Sequence, residues 1–260
     1  MTAFSPVVGV DACPAGWVAT ALDGTGARIE TYDDFETLAA AHAGAERILV
    51  DIPIGLPTTS RRRCDEEASD RLGCRGISVF YPPSAAAVEC DDYETASETH
   101  RDDVGHGLSR QAFHIGAKIR DVARVVDDDY AGRIREAHPE LCFAALNGQP
   151  IAYAKSSERG RRLRRSLLRA AFDDASFDVD GDGDTDADGD TDGDADADTI
   201  YEDARDRFPL SAVGRDDLLD SMVLAVAAAG PPLSSASLAT VPEDPAAGEP
   251  RIYYPAFELP

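Results

Sequence analysis

The stretch VGVDACPAGWVATALDG, Val8 to Gly24, constrains the fold more than any other part of the chain: an apolar run closes on an aspartate, a Pro/Gly turn follows, and a second apolar run begins. It reads as two strands, Val7–Val10 and Trp17–Leu22, joined by a turn around CPAG. A carboxylate at the end of a buried strand is costly unless something positive meets it, so Asp11 calls for a metal ion, a basic partner or solvent. A third strand is expected at Arg28–Tyr32 and a helix at Phe35–Ala43, N-capped by Asp33 or Asp34. RILVDIPIGLP then supplies a buried strand, Ile48–Val50, that again finishes on an acid, Asp51. If the two strands are neighbours, both carboxylates stand at one edge of an α/β sheet, where ligands of such sheets bind.

The rest of the chain reads as elements around that sheet. Residues 58–108 are polar and turn-rich, with SVFYPPSAAA at their centre, and are expected to form a substrate-side insertion with short helices. Ser109–Val126 patterns as one amphipathic helix, with Phe113, Ile119, Val122 and Val126 near one face. A strand at Ile134–His138 leads into a Pro-started helical turn. Residues 160–172 form a helix that turns Leu163, Leu167, Leu168 and Ala171 inward and carries Arg161, Arg165 and Arg169 as a stripe. GRDDLLDSMVLAVAAAG is a further helix, on which Asp217 and Asp220 share a face. These pieces make one domain over residues 1–230, with a Pro-rich, irregular tail over 231–260.

Charge has to be located before it is interpreted. The net charge is −24, but Asp178 to Thr199 hold 11 aspartates and no basic residue, so removing those 11 charges leaves −13 for the remainder. Residues 174–203 therefore read as an acidic, low-complexity, disordered insertion. Two of its runs open like calcium loops, yet Gly189 and Ala195 stand where a bidentate glutamate is needed. Of 25 basic residues only Lys118 and Lys155 are lysines. An Asp-rich, Lys-poor surface suits concentrated salt and argues against non-specific DNA binding through a basic face. Five cysteines without C-x-x-C spacing point to free thiols in a reducing cytoplasm, with a zinc site at Cys64 and Cys74 the weaker option. No leader segment or membrane span is expected.

Asp11, Asp51, Asp217 and Asp220 are four acids from three distant segments. Gathered together they would raise one another's pKa unless cations neutralised them, and Mg²⁺ or Mn²⁺ suits such oxygen donors. Two such ions, about 3.5–4 Å apart, would serve phosphodiester cleavage. Taken singly, Asp217 and Asp220 would serve the helix dipole and Asp51 would cap a turn.

The motifs VGVDACPAGWV, DIPIGLP, RRRCDEEASDRLGCRGISVFYPP, SRQAFHIGAKIRDV, EAHPELCFAALNG and DDLLDSMVLAVAA, in this order, resemble the DUF429 family of ribonuclease H-like nucleases. The resemblance runs from Val7 to Ala229 and implies an α/β, ribonuclease H-like mixed sheet with flanking helices. It implies metal-gathering roles for Asp11, Asp51, Asp217 and Asp220. Glu136, His138 and Glu140 fall in the family's EAHPE, with Glu136 a candidate ligand or general base and His138 and Glu140 candidate substrate contacts. Lys118 and Gln111 lie on a family helix and, with Arg75, Arg63 or the Arg161/Arg165/Arg169 stripe, are candidates to meet phosphate. Trp17, Phe80 and Tyr81 are candidates to stack bases.

The expected function is metal-dependent hydrolysis of DNA or RNA. One rival is a sugar-kinase or actin-like phosphoryl-transfer protein, which this chain is too short to match and whose Gly-rich nucleotide motif it lacks. Another is a binding module that keeps the fold without catalysis, and convergence of the four acids discriminates against it.

Overall fold

The computed structural model describes residues 5–126, 132–174, 196–230 and 238–256. A turn at Pro14 and Ala15 folds β1 (Val7–Cys13) back on β2 (Gly16–Asp23), with Cys13 opposite Gly16. The turn requires φ of 125° at Gly16, where an added Cβ would sit 2.2 Å from the Tyr32 carbonyl oxygen. β1 is thus longer than expected, and Asp11 lies inside the hairpin ladder, opposite Val18. β3 (Gly26–Tyr32) completes the meander, and Asp34 rather than Asp33 caps α1 (Phe35–Ala41) by accepting from Thr37 N at 2.7 Å.

β4 (Arg47–Val50) then lies parallel to β1. α2 (Arg63–Leu72), α3 (Tyr93–Val104), α4 (Arg110–His114) and α5 (Gly116–Ala123) intervene before β5 (Ile134–Glu136), which is parallel to β4. α6 (Pro139–Asn147), α7 (Glu158–Asp174), α8 (Ala197–Arg207) and α9 (Arg215–Ala229) follow, then β6 (Leu238–Val241) and β7 (Ile252–Pro255). The main sheet has the order β3-β2-β1-β4-β5, antiparallel over its first three strands and parallel over its last three. It is an α/β fold, a ribonuclease H-like mixed sheet with flanking helices.

Alternation along the strands separates two cores. Val8, Val10, Ile48 and Val50 pack with Phe35 and Leu38 of α1 and with Ile119 and Val122 of α5. Val7, Cys13 and Leu49 face α9, which is buried from Leu218 to Ala228 because the sheet covers one side and α6, α7 and α8 the others. The contact is closest at Gly9, where a Cβ would lie 2.1 Å from Ala225 N and 2.2 Å from the Ser221 carbonyl oxygen. Opposite Gly9 on the ladder, the Thr20 hydroxyl meets the Ser221 hydroxyl at 2.8 Å.

Four expectations are corrected. The single helix expected over Ser109–Val126 is two, broken at Ile115, because its halves serve different cores: Ala112 packs with Ala96 and Leu108, Ile119 and Val122 under the sheet. The strand expected to reach His138 stops at Glu136, since the His138 side chain caps α6 by accepting from Glu140 N at 3.2 Å. The tail is not irregular: β6 and β7 pair antiparallel, and Val241 and Ile252 pack with Cys64, Ala68 and Leu72 of α2 and Leu141 of α6. The acidic segment expected to be disordered through residue 203 is helix from Ala197, as Asp196 caps α8 and Asp198 pairs with Arg165 and Arg169. The calcium-loop motifs lie outside the described residues.

Candidate functional site

Gly9 and Asp11 are two residues apart on β1 and so project to the same face, toward α9. Seating Ser221 on Gly9 brings the preceding turn of α9, which carries Asp217 and Asp220, over Asp11. Asp51 joins them because its amide donates to the Val10 carbonyl at 3.0 Å, continuing β4 alongside Asp11. The structure therefore brings all four acids together, with Asp11 and Asp220 only 8% and 2% exposed.

The cation that meets them is Lys155, whose Nζ donates to Asp220 Oδ2 at 2.8 Å. It comes from the loop between α6 and α7, outside every motif used above. The signal for it lay in composition: a chain that builds nearly all its positive charge from arginine keeps a lysine here. Its ammonium is held well above the usual lysine range, first by Asp220 and then by Asp11 and Asp51.

Burial and mutual repulsion act on the acids as expected of crowded carboxylates. Asp11 is raised well above its ordinary value by burial, then by Asp51 and Asp220. Asp51 is raised to about 6, by burial first; His138 and Lys155 pull it down while Asp220 and Glu140 push it up. Asp217 is also raised, chiefly by burial.

The linkage follows in sign. Between about pH 4 and pH 6 the folded chain binds a proton at Asp51 that the unfolded chain has released, so stability from this group is present below about pH 4 and is lost as pH rises through about 6. In chelator-treated protein, Asp51→Asn therefore raises Tm at pH 7.5 but not at pH 4, by about 2–4 °C for each kcal/mol recovered. A differential scanning calorimetry series over pH 4–8 checks this, and an unchanged or lower Tm at pH 7.5 would contradict it.

Four hard oxygen donors with one lysine between them match a divalent cation in donor type and in surplus negative charge. Their side chains are turned to protein partners: Asp11 Oδ1 accepts from Ala12 N at 2.7 Å, Asp217 Oδ2 from Gly214 N at 2.8 Å, and Asp220 from Lys155. Among the described residues no three acid, cysteine or histidine side chains stand in ligating geometry. Ion binding at these residues therefore requires side-chain rotation.

The other expected site residues are placed elsewhere. Glu136 pairs with Val50 across the ladder and shares its face, away from Asp11 and Asp51. Its two oxygens accept from Arg62 at 2.7 and 2.8 Å and one also from Ile54 N at 2.7 Å, while Arg62 binds Asp65 as well. It braces the DIPIG turn after Asp51, which corrects the expectation of a ligand or base. Glu136→Gln is expected to cost about 1–3 kcal/mol of stability. Urea unfolding measures that loss, and metal binding at the acids should be unmoved.

Glu140 is likewise taken, its two oxygens accepting from Nη2 of buried Arg164 at 2.6 and 2.8 Å, and the His138 side chain caps α6. Arg164 was hidden within an Arg-rich helix whose apparent interest was its outer stripe.

Lys118 is engaged within the fold: its Nζ donates to the Gly16 carbonyl at 2.6 Å and stands 4.5 Å over the Trp17 ring. Trp17 is buried against Phe35 and donates to Asp121, so it packs rather than stacks on a base. Phe80 packs beside Ala96 and Leu108, and Arg61 covers the Tyr81 ring. Arg63 binds Glu249, fastening the C-terminal segment. Arg75 is half-buried, and Gln111 is exposed on α4. Cys64 is buried and Cys74 exposed, and all five cysteines are free. No helix among the described residues is long and apolar enough to cross a membrane.

A family model described as "Protein of unknown function (DUF429)" matches residues 9–247. No curated protein and no solved structure matches the chain.

Proposed function

The chain belongs to the DUF429 family, and from its acid cluster we propose that it is a divalent-metal-dependent nuclease hydrolysing phosphodiester bonds in DNA or RNA. The observation that carries the reading is the convergence of Asp11, Asp51 and Asp220 at the junction of β1, β4 and α9, where Asp51 and Asp220 disfavour ionisation of Asp11, and Asp220 that of Asp51. Glu136 and Glu140 differ in that each closes both its oxygens on one buried arginine.

Mg²⁺ or Mn²⁺ would be held by Asp11, Asp51, Asp217 and Asp220, and when bound would supply electrophilic stabilisation of phosphoryl oxygens and an acidified attacking water. Lys155 neutralises Asp220 and lends positive charge where a phosphoryl group gains negative charge. Arg164 fixes Glu140, and the Gly9 contact fixes α9, so that the backbone carrying the acids is set before substrate arrives and only their side chains have to turn. The five free thiols suit a cytoplasmic setting.

A second reading, a non-catalytic nucleic-acid-binding module, draws on Lys155, which already gives Asp220 a cation. The deciding experiment offers labelled DNA and RNA oligonucleotides, single- and double-stranded, to the protein in high-KCl buffer with Mn²⁺, with Mg²⁺ or with EDTA. The nuclease reading expects cutting with either metal and none with EDTA. No cutting of any substrate would favour the binding module.

A further inference from the structure

A cleft of about 580 Å³ opens between α7, α8 and the start of α9, and five arginines line it: Arg161, Arg162, Arg165, Arg205 and Arg215. In a chain of net charge −24 this concentration of guanidinium groups is costly unless anions meet it. Two are met within the fold, Arg162 by Glu158 and Arg165 by Asp198 and Glu202. Among the described residues the other three have no ion pair. Arg161 donates to the Ser156 carbonyl and Arg205 to the carbonyls of Val213 and Phe208, which accept hydrogen bonds but carry no charge. Arg215 has no ion pair among the described residues. Its described lining, five arginines against Glu158 and Glu202, thus carries a surplus of positive charge. Beside it stand Phe208 and Leu210, the latter 53% exposed, an apolar surface on which a base can rest.

Arg215 is the first residue of α9, and Asp217 and Asp220 follow on the same helix, so the cleft and the acid cluster share its first two turns. We propose that this cleft binds the backbone phosphates of a nucleic-acid strand and leads that strand to the acids. As a substrate path the proposal rests on the nuclease reading; as an anion site it does not. Of the phosphate candidates in the sequence it keeps Arg161 and Arg165 of the arginine stripe and leaves out Lys118, Arg75 and Gln111. Its volume suits one or two nucleotides, within the range of about 300–1,000 Å³ usual for small-ligand clefts.

The test is fluorescence anisotropy with labelled single-stranded DNA and RNA 12-mers over a KCl series in EDTA. The protein is full-length and carries Asp11→Asn to prevent cutting. Arg161→Gln with Arg215→Gln is compared with that parent, and Arg215→Gln alone, at an exposed helix start, guards against a folding defect. The double variant is expected to bind about tenfold or more weakly and to flatten the slope of log Kd against log [KCl] by about 1.4, two phosphate contacts at about 0.7 each. The single variant should give about half that change in slope.

Unchanged affinity and slope in the variants would overturn the proposal, as would a parent that binds neither strand. A parent that binds pyrophosphate or a nucleoside diphosphate but no strand would overturn the assignment to a strand. Arginine-dependent binding in a protein whose unmutated form never cuts would keep the cleft and remove the nuclease. Cutting with binding indifferent to these arginines would do the reverse.

Discussion

Gly9→Ala costs the fold at least about 3 kcal/mol, the upper end of what overpacking a core usually takes. The added methyl would fall 2.1 Å from a backbone nitrogen and 2.2 Å from a backbone oxygen of α9, and neither can swing aside as a side chain does. α9 must then lift from β1, separating the Thr20 and Ser221 hydroxyls and moving Asp217 and Asp220 away from Asp11. Urea denaturation of wild type and variant measures the loss. A variant within about 1 kcal/mol of wild type would show that α9 can shift cheaply, and that this contact does not set the site. Should the variant stay folded in high KCl, its metal affinity is still expected to fall although no carboxylate has changed.

Asp11→Asn is expected to abolish the metal-dependent cutting proposed above, lowering the rate roughly 10²–10³-fold, the equivalent of about 3–4 kcal/mol of transition-state stabilisation. Asparagine keeps the shape, so the backbone bond from Ala12 N to Oδ1 has an acceptor still. What it removes is a carboxylate that acts on Lys155 together with Asp220 and Asp51 and that Asp51 and Asp220 crowd. Stability should move the other way: with one repelling charge gone, the chelator-treated variant is expected to be at least as stable as wild type at neutral pH. Loss of activity with retained or improved stability separates a functional acid from a structural one. Equal rates in wild type and variant would remove Asp11 from the mechanism.

The acids were legible because each stands where an apolar pattern ends or a helix begins, and strands that terminate on carboxylates say something about what lies beyond them. The three opening strands, the strand that ends on Asp51 and the apolar α9 were legible from alternation and composition, whereas the parallel pairing of β4 with β1 was not. Glu136 was misplaced for a geometrical reason. Its type and motif suited the site, but the face it occupies depends on the register with β4, and Val50 opposite it looks toward α1. Sequence gives the period of a strand without saying which face is which.

Lys155 and Arg164 were missed because both act across long separations, on Asp220 and Glu140, from a loop and a helix read for other features. The break at Ile115 and the β6–β7 pair escaped because each depends on a second core that only the folded chain assembles.

The central claim is that Asp11, Asp51, Asp217 and Asp220 form one divalent-cation site. Electron paramagnetic resonance of Mn²⁺, titrated into wild type, Asp11→Asn and Glu136→Gln at pH 7.5, tests it most directly. Because all three proteins carry the same Asp-rich segment, weak binding there cancels in the comparison. A saturable Mn²⁺ site is predicted in wild type and in Glu136→Gln, weakened about 100-fold or more by Asp11→Asn. It should tighten as pH rises through about 6, where Asp51 loses its proton. No saturable site in wild type, or the same affinity in Asp11→Asn, would contradict it.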